Sequence, residues 1–287
     1  MYGGIAVSRN LLCLTYTDGR GRIFLVDLEG RQPVDFWGYT GPAGGYSDAG
    51  GVAIDESFTL HVADTQNDMV RRFTAFGKEL DPLGEPQSRP PGASSRDRRG
   101  SLCHPHAVAE HLGSILVACG DQHLRRGVQR FGRDGFAESP LCAFGEAEGE
   151  FGAPRGLSAG PEGIFVADTL NGVVQRFTTD FRFVNAIPTA RDSGGVGRPI
   201  AVEALGDGSL LVVDQGDQPG LRRYDYSGQL IETAVSGGQL VDPVDLARDE
   251  DDRVYVLDRD GERVLRLLPD LGVDVQVLDL AEYLHDT

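Results

Sequence analysis

The side chains best equipped for chemistry gather in one stretch of the chain. Residues 104–111 read HPHAVAEH and follow directly on Cys103. Two imidazoles around Pro105, next to a thiol, offer metal ligands, proton carriers near neutral pH or hydrogen-bond donors to an anion. The spacing of Cys103, His104 and His106 is too short for a standard zinc motif, so the residues imply neither a metal nor another cofactor. A few residues on, GDQHLRRG supplies His123, Arg125 and Arg126. Arg155 and Arg198, with the acids Asp48 and Asp242, join these histidines only if the fold aligns distant segments.

That alignment comes from an internal repeat. A hydrophobic pair followed by Asp ends at Asp64, Asp168, Asp214 and Asp258, and Tyr16 and Cys119 hold the same place without the carboxylate. Positions 16, 64, 119, 168, 214 and 258 lie 44 to 55 residues apart, so six units fill the 287 residues. Each unit opens with a short apolar run (GIAV at 4–7, GVAI at 51–54, HAVA at 106–109, IAVE at 200–203), turns, and runs to the marker. A polar turn leads to a third run such as VRRF, VQRF or LRRY, and a less regular fourth run closes the unit. Four short β-type runs between Gly, Asp, Asn and Pro turn signals form an antiparallel meander. One such sheet cannot bury both faces alone, so six pack around an axis. This predicts an all-β, six-bladed β-propeller with four-stranded antiparallel blades. The blades fall at about 1–47, 48–103, 104–152, 153–197, 198–241 and 242–287 of a single domain.

The unit at 144–177, FGEAEGEFGAPRGLSAGPEGIFVADTLNGVVQRF, resembles the NHL-repeat family at nearly every family position. Asn67 in VADTQND repeats the Asp-Thr-x-Asn turn of Asn171, and the hydrophobic spacing carries the resemblance along the whole chain. The resemblance implies the propeller fold and leaves function open, since the family includes protein- and RNA-binding modules and enzyme relatives. Related peptidyl-hydroxyglycine lyases hold zinc with channel histidines from several blades. Here the mouth histidines come from blade 3 alone, and His61, His111 and His285 fall elsewhere, so that site is not reproduced. Gluconolactonase-like propellers place Glu, Asn and Asp around a divalent cation. Glu203 is the one acid at its register, where other blades carry Ala6, Ala53, Ala109, Ser158 and Ala247. It is either a channel carboxylate with a raised pKa and a role as base, or the partner of Arg198 or of an arginine on the next blade.

Two repeated features read as structure. The marker Asp enters a tight turn, where its carboxylate accepts backbone N–H groups, and this explains every copy better than a ring of metal ligands does. Arg72, Arg130, Arg176, Arg223 and Arg266 recur on the third strand, as expected of outer arginines pairing with neighbouring carboxylates.

Charge excludes whole classes of function. With 44 acidic against 27 basic residues the net charge is −17, which disfavours nucleic acid and anionic membrane surfaces. No apolar stretch is long enough for a membrane span, and MYGGIAVSRN lacks the pattern of a secretory signal. Four cysteines at irregular spacing fit reduced thiols, so the expectation is a cytoplasmic protein, with pairing of Cys103 and Cys119 left open.

Function is sought where the copies differ. Blade 3 follows a Pro-, Ser- and Arg-rich insertion at 84–103, which reads as a surface loop, and its marker is Cys119. In a meander blade, the loop before the first strand and the loop between the second and third share one face. His104 then shares a register with Asp48, Ala153, Arg198 and Asp242, and His106 shares one with Arg155, Ile200 and Val244. The mouth gathers His104, His106, His123, Arg155 and Arg198 on its blade 3–5 side, near Arg96, Arg98 and Arg99, with Asp48 and Asp242 opposite. Asp55, Glu56 and residues 249–252 make the other face acidic. The expectation is a non-catalytic binding or scaffold module whose basic mouth engages a small anionic ligand or a protein partner. The alternative is a metal-dependent lyase or lactonase using the same mouth.

Overall fold

The computed structural model describes residues 2–17, 21–30, 32–39, 49–84, 100–120, 127–138, 145–189, 195–217, 219–234 and 240–281. It is a six-bladed β-propeller. Blade 1 holds β1 (Tyr2–Ser8), β2 (Leu11–Thr17), β3 (Gly21–Asp27) and β4 (Gln32–Tyr39). Blade 2 holds β5 (Ala49–Ile54), β6 (Thr59–Asp64), β7 (Met69–Thr74) and β8 (Glu79–Leu83). Blade 3 shows β9 (Pro105–His111), β10 (Ser114–Cys119) and β11 (Gly127–Phe131) among the described residues. Blade 4 holds β12 (Pro154–Gly160), β13 (Gly163–Asp168), β14 (Val173–Phe177) and β15 (Phe183–Pro188). Blade 5 holds β16 (Pro199–Ala204), β17 (Ser209–Asp214), β18 (Gly220–Asp225) and β19 (Leu230–Ala234). Blade 6 holds β20 (Pro243–Arg248), β21 (Val254–Asp258), β22 (Arg263–Leu267) and β23 (Val273–Asp279).

Each sheet is made of consecutive antiparallel strands, and the ring closes by packing β20 against β1. Two carboxylates span that seam: Asp245 accepts the Ile5 N–H at 2.9 Å, and Glu250 accepts the Arg9 N–H at 2.9 and 3.0 Å.

The core lies between blades. Second strands such as SILVAC, GIFVAD and SLLVVD are buried at every position, because both of their faces meet a neighbouring sheet. Outer β15 alternates between buried and exposed, as a strand with one wet face must. Phe165, Val174 and Ile187 of blade 4 pack with Val202, Leu210 and Tyr224 of blade 5, and Leu12, Leu14 and Phe24 of blade 1 pack with Tyr255 and Leu257 of blade 6.

The marker carboxylates are buried and hold turns together. Asp168 accepts N–H groups from Gly152 and Ala153 and amide protons from Asn171 and Gln175, at 2.8–3.1 Å. Asp214 accepts from Arg198 and Gly216, and Asp258 from Val241 and Asp242. Asp168 and Asp214 thus tie the loop before their own first strand to the turn after their second. Among the third-strand arginines, Arg130, Arg223 and Arg266 pair with Glu138, Asp207 and Asp274. Arg72 and Arg176 depart from the expected pairing. Arg72 reaches the Asp81 carbonyl, and Arg176 lies over the Tyr226 ring at 4.6 Å.

Every inner strand is bulged just after its first residue. The pairing slips between Tyr2 and Ile5, Ala49 and Val52, Pro154 and Gly156, Pro199 and Ala201, and Pro243 and Asp245; in blade 3 it slips at His106. A bulge leaves the extra residue outside the ladder and re-aims its side chain. His106, Arg155, Ile200 and Val244 occupy the bulges, where blades 1 and 2 have glycines. The next register is Gly4, Gly51, Ala107, Gly156, Ala201 and Asp245, and the narrow ring explains the small residues. A Cβ on Gly156 would sit 2.7 Å from the Ala201 Cα of the next blade.

Candidate ligand channel

The six inner strands enclose a cavity of about 590 Å³ that runs from the bulges to the first turns. His106 and Arg155 line its mouth. Arg198, on the loop before β16, stands just outside the lining and is exposed. Burial and the nearby Arg198 charge both hold the Arg155 guanidinium below its ordinary pKa. Both arginines are exposed at the rim, where two like charges favour an anion, which arginine meets through a planar, two-pronged donor set. Among the described residues no carboxylate forms an ion pair with Arg155 or Arg198.

The other expected site residues are placed differently. Asp242 does not face the arginines as a free acid; it is held by Arg259 at 2.5 Å and by Gln215 at 3.2 Å. His106 Nε2 lies 3.1 Å from the Gly120 carbonyl of its own blade. His104 sits at the blade 2–3 seam, where its N–H donates to Asp68 at 2.8 Å. One donor atom each from Asp68, Cys103 and His104 lie within 4.8 Å of one another. Asp48, His123 and the arginines at 96, 98, 99, 125 and 126 lie outside the described residues. His61 is buried on β6 against Asp55 at 3.0 Å, and His111 packs its ring edge on Phe181, so neither enters the channel.

Midway down, two carboxylates break a ring of small residues. Glu203 replaces the Ala or Ser of other blades and meets Arg248 of blade 6 at 3.5 Å and Ser158 of blade 4 at 3.3 Å. The partner is therefore the arginine of the next blade, not Arg198. Burial pushes Glu203 up to about 7 despite the Arg248 charge, and the charge of Asp245 adds to the rise. Burial likewise pushes Asp245 up to about 7, against the hydrogen bond from Ile5. Residues of this kind carry a proton near neutral pH and suit general acid–base work. Motif inspection misses Asp245. Its signal lies in the register, where every other blade has Gly or Ala.

The far end is acidic, with Glu56, Glu110 and Glu250 at the lining and Arg9 stacked 4.8 Å over the Phe58 ring. The channel thus runs from cationic to anionic along its axis, with two titratable acids between.

No family model and no characterised protein sequence matches the chain. Solved structures do match its fold. A virginiamycin B lyase from Staphylococcus aureus superposes on 95% of this chain and 83% of its own, with a TM-score of 0.63 at 14% identity. A gluconolactonase from Xanthomonas campestris covers 90% and 82% with a TM-score of 0.61 at 17% identity. A chain of the nidogen/laminin complex covers 81% and 79% with a TM-score of 0.62 at 16% identity. At such identities the likeness carries architecture alone: the chain is a six-bladed propeller among propellers that include enzymes and a member of a protein complex.

Proposed function

We propose that the protein is an NHL-like, cytoplasmic binding propeller whose channel mouth receives an anionic group from a small ligand or an acidic protein partner. The observation that carries this is the Arg155–Arg198 pair. Both guanidinium groups lack an ion-pair partner among the described residues, and Asp242, one of the two acids placed opposite them, is held by Arg259. Bringing like charges together costs free energy, which a bound anion returns. A net charge of −17 makes this local basic patch a selective feature and disfavours nucleic acid. Among the described residues no helix is long and apolar enough to cross a membrane.

Calorimetric titration at low salt with inorganic phosphate, citrate and an acidic peptide tests the site. Arg155→Ala with Arg198→Ala is expected to weaken the best of these at least tenfold, or about 1.4 kcal/mol. Equal affinity in the double variant removes the mouth from the proposal.

A second function rests on its own observation, the Glu203–Asp245 pair with pKa values near 7. These acids would transfer protons in a channel lyase or lactonase, with or without a divalent cation. Turnover of a lactone panel by the wild type, lost in Glu203→Gln with anion binding intact, would favour this enzyme over the binding module.

A further inference from the structure

The blade 2–3 seam collects a thiol, an imidazole and a carboxylate through a specific change in the repeat. In blades 4, 5 and 6 the N–H at the His104 register is taken by the marker of the same blade: Ala153 by Asp168, Arg198 by Asp214, Asp242 by Asp258. Blade 3 has Cys119 at the marker, and the His104 N–H instead crosses to Asp68 of blade 2. Asp68 follows the 3-10 turn at Thr65–Asn67, and both it (φ 56°) and His104 (φ 48°) are left-handed. Consecutive side chains on an extended strand point to opposite faces. The left-handed turn at His104 breaks that alternation, so that Cys103 and His104 both approach Asp68.

We propose that Asp68, Cys103 and His104 bind a divalent cation of the zinc class, with a fourth position open, and that the ion staples blade 2 to blade 3. Sulfur, nitrogen and oxygen donors in one set suit zinc, whose bonds of about 2.0–2.3 Å put ligand atoms roughly 3.3–3.8 Å apart. His104 Nδ1 already stands 3.8 Å from Asp68 Oδ1, and the full set within 4.8 Å closes to that size by side-chain rotation. Cys103 is partly accessible, whereas Cys13 and Cys119 are buried. The site lies on the mouth face but outside the channel lining, so it does not depend on the arginine site.

The test uses the full chain, reduced, stripped with a chelator and titrated with Co²⁺ and then Zn²⁺. One Co²⁺ per chain is expected, with a thiolate-to-cobalt charge-transfer band that Zn²⁺ abolishes. Cys103→Ser should lose the band, and Asp68→Asn and His104→Ala should each weaken Co²⁺ binding at least tenfold. Absence of the band, or its persistence in Cys103→Ser, overturns the site. Alkylation followed by mass spectrometry applies the same test without mutation. Saturating Zn²⁺ should protect Cys103, and an unchanged labelling rate refutes coordination.

Discussion

Blades 4 and 3 share a strand frame and fill one position in opposite ways. In blade 4, Asp168 binds two backbone N–H groups before β12 and two side-chain amides from the following turn and β14. One carboxylate therefore fixes three segments. In blade 3, Cys119 stands in that place; among the described residues its sulfur takes only the Cys103 N–H of the loop before β9, and the His104 N–H is taken by Asp68 of blade 2. A repeated carboxylate spends its acceptors on the repeat. Where it is missing in blade 3, one of the N–H groups it would have held turns to the neighbouring blade, and side chains with chemistry meet there.

Removing the anchor from the regular blade should have the largest effect. Asp168→Ala takes this acceptor from the Gly152 and Ala153 N–H groups and one of two acceptors from the buried Gln175 amide, which keeps the Glu150 carbonyl. Each buried orphan costs about 1–3 kcal/mol, so the loss should reach about 3–5 kcal/mol and lower Tm by roughly 6–15 °C. Calorimetry on the purified variant measures this. A cost under about 1 kcal/mol would show that the carboxylate is dispensable to the turn.

The anchors were readable from the chain because they recur with hydrophobic neighbours at a near-constant step. Glu203 was readable too, as the odd residue in a column of Ala and Ser. Asp245 lies one place beyond the mouth column of His106 and Arg155, inside an apolar run that carries no motif. Each bulge adds one extra residue to its inner strand, so all six blades keep a common frame. Once the ladder fixes the register, Asp245 stands against Gly4, Gly51, Ala107, Gly156 and Ala201. Asp68 closes the VADTQND turn. Its role beside Cys103 and His104 depends on which blade lies next to it, and a single unit of the repeat does not contain that information.

The two channel acids extend the comparison to pH. Their folded pKa values, about 7, stand above the unfolded values near 4. Between those limits the native state holds more protons than the unfolded state, so stability falls as pH rises from about 4 to about 7. Glu203→Gln and Asp245→Asn remove the charge and keep an acceptor. Each variant should flatten that slope and be more stable than the wild type at pH 8 by about 1–2 kcal/mol, with little difference at pH 4. Urea melts of the three proteins at both pH values measure the effect. Parallel pH profiles would mean that these carboxylates are as well solvated in the channel as in the unfolded chain.

The smallest effect belongs to the irregular blade. Cys119 is buried against Val70, Leu102 and Val117 and behaves as a small apolar group, its thiol pushed up to about 12 by burial. Cys119→Ala removes one sulfur's worth of packing and the weak acceptor of the Cys103 N–H, while the His104 N–H stays bound by Asp68. The expected cost is about 1 kcal/mol, a Tm fall of roughly 2–4 °C, well below that of Asp168→Ala. Matched melts of the two variants at pH 7 give the ratio directly. Near-equal losses would mean that Cys119 anchors its blade as the aspartates do.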